Sequence, residues 1–344
     1  MKDFWKELPR PFFALAPMAD VTDAAFRRII AKYSKKPDIR RRAFVTWAEK
    51  PDIRRRAFVM WTEFVSADGL VLAPEEGKKK LLADLLYTES ERPIVAQLFS
   101  SRPENIEKAA ALVAKLGFDG VDINMGCPDR SIEKQGAGAA HIQDPARAKE
   151  VIAAAKQGAG GLPVSVKTRL GYNKDELDTW LPHLLETGLS AITIHARTRK
   201  EMSKVPARWE RIARAVELRN KHAPETLIIG NGDLADLNDA HAKVVETGAD
   251  GAMLGRAIFG NPWLFSKYGH AVSIFKRMQV MVEHTKLFEE LLPHKNFAIM
   301  KKHYKAYVAG FNGAAELREK LMSAENADAV ARITEHFLRA TPAD

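Results

Sequence analysis

The chain has 344 residues, 46% of them hydrophobic and 28% charged, with a formal net charge of +9 and a pI near 9.4. That size allows one large domain plus a smaller one. No run of about 18 apolar residues appears, which argues against a membrane span, and the single cysteine, Cys127, excludes an intrachain disulfide and cysteine-rich zinc or iron–sulfur sites. The basic balance suits a polyanionic partner, although many basic chains merely solvate their Lys and Arg.

The N-terminal stretch MKDFWKELPRPFFALAP has early charges and prolines but no long apolar segment, so it predicts no secretory leader. A first buried strand is expected in FFALAPM (12–18), followed by the helical pattern DAAFRRIIAKY opened by Asp23. Next, KPDIRRRAFVTWAE (36–49) is repeated at once as KPDIRRRAFVMWTE (50–63), with changes only at Thr46/Met60 and Ala48/Thr62. One tandem copy is too short for a solenoid and reads as a local duplication. Only one copy can fill one strand, and the second, running on into EFVSADGL, continues more naturally. The spare copy, with four Lys/Arg against two acids, contributes +2 of the +9, so the remaining chain is still basic.

Further apolar runs follow at 57–64, 93–99, 120–126, 163–169, 191–197, 226–232 and 251–257. Helical patterns separate them, among them RPENIEKAAALVAKLG, DPARAKEVIAAAKQG and LNDAHAKVVETG, with Asp144 and Asp236 as start residues and Gly117, Gly158 and Gly248 as closing ones. Strand–helix alternation implies parallel pairing, and eight strands in about 250 residues is the count of a (β/α)8 TIM barrel in the α/β class. The alternative is a doubly wound open sheet, which would usually carry a glycine-rich turn after its first strand, where APMADVTD stands. From about Ser266 helical patterns run to the end, which divides the chain into a barrel over 1–265 and an all-helical domain over 266–344.

In such a barrel the active site lies at the C-terminal ends of the strands. There the runs end in Gln97, Asn124, Lys167 with Arg169, His195 with Arg197, and Asn231. Burying one such group unpaired costs about 1–3 kcal/mol. A single case is ordinarily a strand-end residue bonded to backbone, but five successive strands point to a shared polar-ligand site. NGDLAD (231–236) and LGRAIFGNPW (254–263) follow the last two strands, where barrels frequently hold a phosphate. Gly232 and Gly255 permit close approach there, and Arg256 supplies charge.

The ordered set APMADVTDAAFRR, VAQLF, DINMGCP followed by GAGAA, VKTRLG, ITIHART, IIGNGD and GADGAMLGRAIFGNPWLF resembles the tRNA-dihydrouridine synthases, from about residue 12 to about residue 320. NMGCP is its most specific piece. The resemblance implies a barrel that holds FMN and reduces a tRNA uridine with NADPH; the leader-free start, the lack of a membrane span and the single cysteine favour the cytoplasm, and one barrel per tRNA needs only a monomer. It implies that Pro17, Met18 and Ala19 line the flavin, and that Gln97, Lys167 and His195 contact it. Asn231, Gly232, Asp233, Gly255 and Arg256 would hold its phosphate, and Asn124 and Arg169 would face the uracil. Cys127 matches the family's proton donor. A lone cysteine is ordinarily a small buried hydrophobe, but reducing the uracil C5=C6 bond needs a proton at C5. A neutral thiol of pKa about 8.5 is mostly protonated at pH 7 and can give it.

The target base must also be splayed out of folded RNA, at a cost of a few kcal/mol, and the helical tail is where the compensating contacts are expected. From Lys267 to Lys305 eight Lys/Arg stand against three Glu, and KKHYKAY (301–307) interleaves Lys301, Lys302 and Lys305 with two tyrosines, as phosphate contact and base stacking would need. The bland reading turns those tyrosines inward. Beyond Ala314 six acidic residues outnumber four basic ones, so only the first part is an expected RNA face. His141 stands where the family pattern would have an aliphatic residue, which could unsettle the next helix. Two other readings remain open from sequence. One is an FMN barrel of the dihydroorotate-dehydrogenase type acting on a free pyrimidine, and the other is an RNA-binding protein on an inactive barrel.

Overall fold

The computed structural model describes residues 3–35, 58–266 and 272–340. The first copy of the duplicated segment, residues 50–57 of the second, and Lys267 lie outside the described residues. Eight strands follow in chain order: β1 Phe12–Leu15, β2 Met60–Ser66, β3 Ile94–Phe99, β4 Gly120–Met125, β5 Val164–Arg169, β6 Ala191–His195, β7 Leu227–Asn231 and β8 Gly251–Leu254. They pair in parallel in the order β1-β8-β7-β6-β5-β4-β3-β2. The two ends of that order meet. Val59, just ahead of β2, bridges Ala14 of β1, with Leu15 N donating to Val59 O at 2.9 Å and Val59 N to Phe13 O at 3.0 Å. Closure excludes the open sheet and gives the (β/α)8 barrel.

The helices on its outside are α1 Ala24–Ser34, α2 Ala67–Leu72, α3 Glu75–Asp84, α4 Pro103–Lys115, α5 Arg130–Glu133, α6 Pro145–Gly158, α7 Leu177–Leu185, α8 Trp209–His222 and α9 Leu237–Thr247. The aspartates expected to open them do so: the carboxylates of Asp23, Asp144 and Asp236 accept from free backbone N–H groups of α1, α6 and α9. Gly117 and Gly248 close α4 and α9 with φ of +82° and +70°. Gly158 has a different reason. It is the last residue of α6, and a Cβ there would stand 2.0 Å from Glu107 O of α4, so it permits close helix approach.

Which copy of the duplication fills β2 also has a physical reason. The β2–β3 register shifts between Trp61 and Phe64, and the Thr62 hydroxyl fills the gap in the ladder by accepting from Gln97 N at 3.1 Å. The matching residue of the first copy is Ala48, which has no side-chain oxygen to offer. Thr62 is therefore one reason the second copy suits the strand that carries Gln97 beside it.

Inside the barrel, Trp5, Phe12, Val59, Trp61, Val95, Ile229 and Met253 form one apolar cluster. The larger cluster lies between strands and helices and continues into the C-terminal helices α10 Ile274–Leu291, α11 Met300–Tyr307, α12 Ala314–Met322 and α13 Ala327–Ala340. These pack on α1: Phe26 stacks on His284 with centroids 4.8 Å apart, and Tyr33 donates to Glu283 at 2.6 Å. Tyr304 and Tyr307, expected to stack bases, are fully buried in that junction. They fall three apart on the face of α11 that also carries buried His303, so the helical period turns both inward and leaves Lys302 and Lys305 exposed. No helix among the described residues is long and apolar enough to cross a membrane.

Candidate active site

A cavity of about 500 Å³ opens where the strands end. Pro17, Met18, Gln97, Asn124, Cys127, Lys167, Arg169, His195, Asn231, Gly232, Asp233, Gly255 and Arg256 line it. Ala19 is exposed and outside the lining, and Lys301, Lys302 and Lys305 lie on α11, away from it.

On β3 and β4 the two-residue strand period turns Asp122 and Asn124 to one face, beside Gln97. Gln97 Nε2 donates to Asp122 Oδ2 at 2.6 Å, its Oε1 accepts from Asn124 Nδ2 at 3.0 Å, and Ser165 Oγ donates to Asp122 Oδ1 at 2.5 Å. Both ends of the two amides are thereby assigned. The Asn124 oxygen then accepts from Gly126 N at 3.1 Å and Cys127 N at 2.9 Å, so the fourth strand's last polar residue shapes the turn that presents the thiol. From the other side Arg169 Nε donates to Gly126 O at 2.7 Å, and Ala139 N donates to Cys127 O at 3.0 Å. Gly138 has φ +62°, and a Cβ there would lie 2.8 Å from Cys127 O; here the GAGAA segment needs its glycine.

Burial raises the Cys127 thiol pKa, so it is protonated at neutral pH. Burial, then the neighbouring Arg169, lowers Lys167 to about 8, which still leaves a cation at pH 7. Burial also raises Asp122 to about 6 against the pull of its Ser165 and Gln97 bonds. His195 is pushed well below its usual value by burial and by the cations around it, Lys167 foremost. Since its Nε2 faces Arg197 Nη1 at 3.1 Å and a guanidinium can only donate, the imidazole is neutral with its proton on Nδ1.

The loops after β7 and β8 meet on the far side of the cavity. Asp233, at φ +52°, is gripped by Arg197 and by Arg256, the latter at 2.5 Å, and those guanidinium bonds hold its carboxyl below the ordinary range. Its carboxylate is thus engaged, and what it can offer an anion is its N–H. The N–H groups of Gly232, Asp233, Gly255 and Arg256 have no acceptor among the described residues. Gly232, at φ +131°, has no room for a Cβ, which would meet that of Ala207 at 2.8 Å. Exposed N–H groups, a guanidinium and bare glycine backbone suit a phosphate. Four cations around the cavity (Lys167, Arg169, Arg197 and Arg256) against two carboxylates (Asp122 and Asp233) suit an anionic cofactor as a whole.

The dihydrouridine synthase (Dus) family profile matches residues 14–341. The chain belongs to the dihydrouridine synthase family. It is 41% identical over 344 residues to "Probable tRNA-dihydrouridine synthase 2" of Bacillus subtilis (strain 168), covering 98% of this chain and 97% of that one. It is 39% identical over 328 residues to "Probable tRNA-dihydrouridine synthase" of Staphylococcus aureus (strain MRSA252), covering 94% and 92%. Among solved structures, histamine dehydrogenase from Rhizobium sp. 4-9 superposes with a TM-score of 0.50 at 12% identity over 80% of this chain and 48% of that one, a likeness of fold alone.

Against the family motifs, two features of this dihydrouridine synthase family member escaped the sequence. Asp122 lies inside DINMGCP, one full strand period before Asn124, and that alternation was the available signal. Lys295, between α10 and α11, reaches Glu63 Oε2 at 2.7 Å and Asp84 Oδ1 at 3.1 Å, while Glu63 accepts from Asp20 N beside Met18 and Ala19. The helical tail thereby holds the β1–α1 loop, and nothing local in the sequence signals so distant a pairing. His141 is buried, with Nε2 3.1 Å from Ser100 O, and caps no helix; it fits the packing behind the Cys127 loop.

Proposed function

We propose that this chain is an oxidoreductase that reduces the C5=C6 bond of a uridine in tRNA, with FMN as cofactor, NADPH as reductant and Cys127 as the acid for C5. The observation that carries the reading is the protonated thiol, held by Asn124 and Arg169 at the rim of a cationic cavity. FMN, when bound, supplies the hydride for C6. Gly232, Asp233, Gly255 and Arg256 hold its phosphate through N–H groups and one guanidinium, and Asn231 braces that loop by donating to Met253 O at 2.8 Å. Pro17 and Met18 line its ring site, Gln97 and neutral His195 are polar partners for the ring, and Lys167 places a positive charge near it. Asn124 and Arg169 both line the cavity and both bond the turn that carries Cys127, so a uracil beside the thiol would lie within their reach, and Arg169 retains guanidinium N–H groups for its carbonyl oxygens.

Lys301, Lys302 and Lys305 are assigned to RNA phosphates and residues 266–344 to tRNA docking, in a cytoplasmic monomer. The lysines alone support that assignment, since the tyrosines of α11 are buried. The test is mass spectrometry of an unmodified tRNA transcript after incubation with the protein, FMN and NADPH. A gain of two hydrogens on a single uridine is expected. A flavin-loaded protein that leaves every transcript unchanged would overturn the reading and favour a free pyrimidine as substrate.

A further inference from the structure

The loop between β6 and α8 has features that neither the cofactor site nor the thiol accounts for. Two of the three cavity arginines donate to its backbone: Arg169 Nη1 to Thr198 O and Met202 O at 3.2 Å each, and Arg197 Nε to Val205 O at 2.5 Å. Arg199 is tied to Glu133 of α5 and lies over the Tyr172 ring at 5.0 Å, and Arg208 pairs with Glu201 at 2.8 Å. The loop is therefore fixed to the Cys127 side of the cavity and to the loop after β5, where Lys200 N donates to Tyr172 O at 2.9 Å.

What this fixed loop presents outward is unusual. Met202 has φ +54°, a region that side chains other than glycine seldom adopt, and its side chain is 47% exposed beside Val205 at 36%. Ser203 between them lines the cavity. Lys200 and Lys204 are exposed and, unlike Arg199 and Arg208, form no ion pair with a described carboxylate. Two apolar side chains flanked by two free ammonium groups at a cavity rim are complementary to unstacked RNA, which offers base faces and phosphates together.

Resting on the reading above, we infer that the β6–α8 loop is an RNA-contact rim: Met202 and Val205 pack against the base next to the uridine drawn into the cavity, and Lys200 and Lys204 hold the adjoining phosphates. Arg169 then positions both partners, with one edge of its guanidinium held by the rim and the other turned to the cavity.

The test measures the Kd of a fluorescein-labelled, unmodified tRNA transcript by anisotropy over a salt series, alongside flavin content and dihydrouridine formation. Met202→Gly removes the side chain and relieves the left-handed backbone, so it folds at least as readily; Val205→Ser and the pair Lys200→Ala/Lys204→Ala complete the set. The apolar variants are expected to weaken binding by about threefold to tenfold, in line with the apolar area each can cover, and the lysine pair to flatten the log Kd–log salt slope by about 1.4, two single-strand phosphates' worth. Flavin content should stay at the wild-type level. Wild-type Kd and slope in all three variants would overturn the rim while leaving the proposed reaction standing. Wild-type protein that binds the transcript without reducing it, with the variants still weakened, would overturn the reaction and keep the rim. Wild-type protein that does not bind the transcript would overturn both.

Discussion

The barrel mouth and the junction between α1 and the helical tail both bury polar side chains, and they treat them in opposite ways. At the mouth Gln97, Asp122, Asn124, Arg169 and Arg197 are joined in hydrogen bonds, and the cationic excess is aimed at a cavity. At the junction His284 and His303 are fully buried, with neither ring nitrogen bonded to any described residue. They act as aromatic rings, with Phe26 stacked on His284 at 4.8 Å and the two imidazoles edge to face at 4.7 Å. Polar groups at the mouth are arranged for a ligand; those at the junction are tolerated as packing, and burial drives His303 down to about 3 and His284 well below its usual value. Mouth variants should therefore change chemistry with little loss of stability, and junction variants should do the reverse.

The strongest way to break that contrast is at Gly260, where φ is +67° and a Cβ would lie 2.4 Å from Ala306 O of α11. Gly260→Ala should cost about 3 kcal/mol or more, since backbone strain and overpacking combine. Gly310→Ala, also at positive φ but with no atom within 4 Å, should cost only about 1 kcal/mol. Equal losses in urea denaturation would show that contact with α11 contributes nothing. Next comes Lys295→Met, which strands Glu63 and Asp84 without their cation. A loss of about 2–3 kcal/mol is expected, below the range for fully buried pairs because the site is partly open, and flavin affinity should fall with it, as the β1–α1 loop loses its anchor. Unchanged flavin binding would confine Lys295 to stability.

The smallest effect per residue is the most diagnostic. His284 and His303 stay neutral in the fold, whereas free histidine titrates near 6.5. Stability is complete above that value and is lost as the pH falls below it. Each residue should cost about 1.4 kcal/mol at about pH 5.5. Denaturation at about pH 8 and pH 5.5 should show the loss, and His284→Phe should remove its share. A variant with the wild-type pH dependence would contradict neutral burial of His284.

The strand-end residues were legible because a barrel has one chemical face and the strand period says which side chains reach it. Gln97, Asn124, Lys167, Arg169, His195 and Asn231 were found that way. Asp122 escaped because a carboxylate in the middle of an apolar run reads as an exception until its partners Gln97 and Ser165 are seen across two neighbouring strands. Tyr304 and Tyr307 stay undecided from sequence because alternation with lysines looks the same whether the rings face RNA or the core; only the partner helices turn them inward. Lys295 and the Met202 rim depend on contacts between segments distant in sequence, which no local pattern contains.

In the proposed reaction the thiol of Cys127 supplies the proton at C5. The most direct test is a single turnover of pre-reduced protein with an unmodified tRNA transcript in deuterated water, comparing wild type with Cys127→Ala at matched flavin content. Wild type should place one solvent deuterium at C5, and the variant should be slower by about 10²–10⁴ while binding flavin and tRNA normally. Equal rates would contradict the claim and move the acid to another group at the mouth.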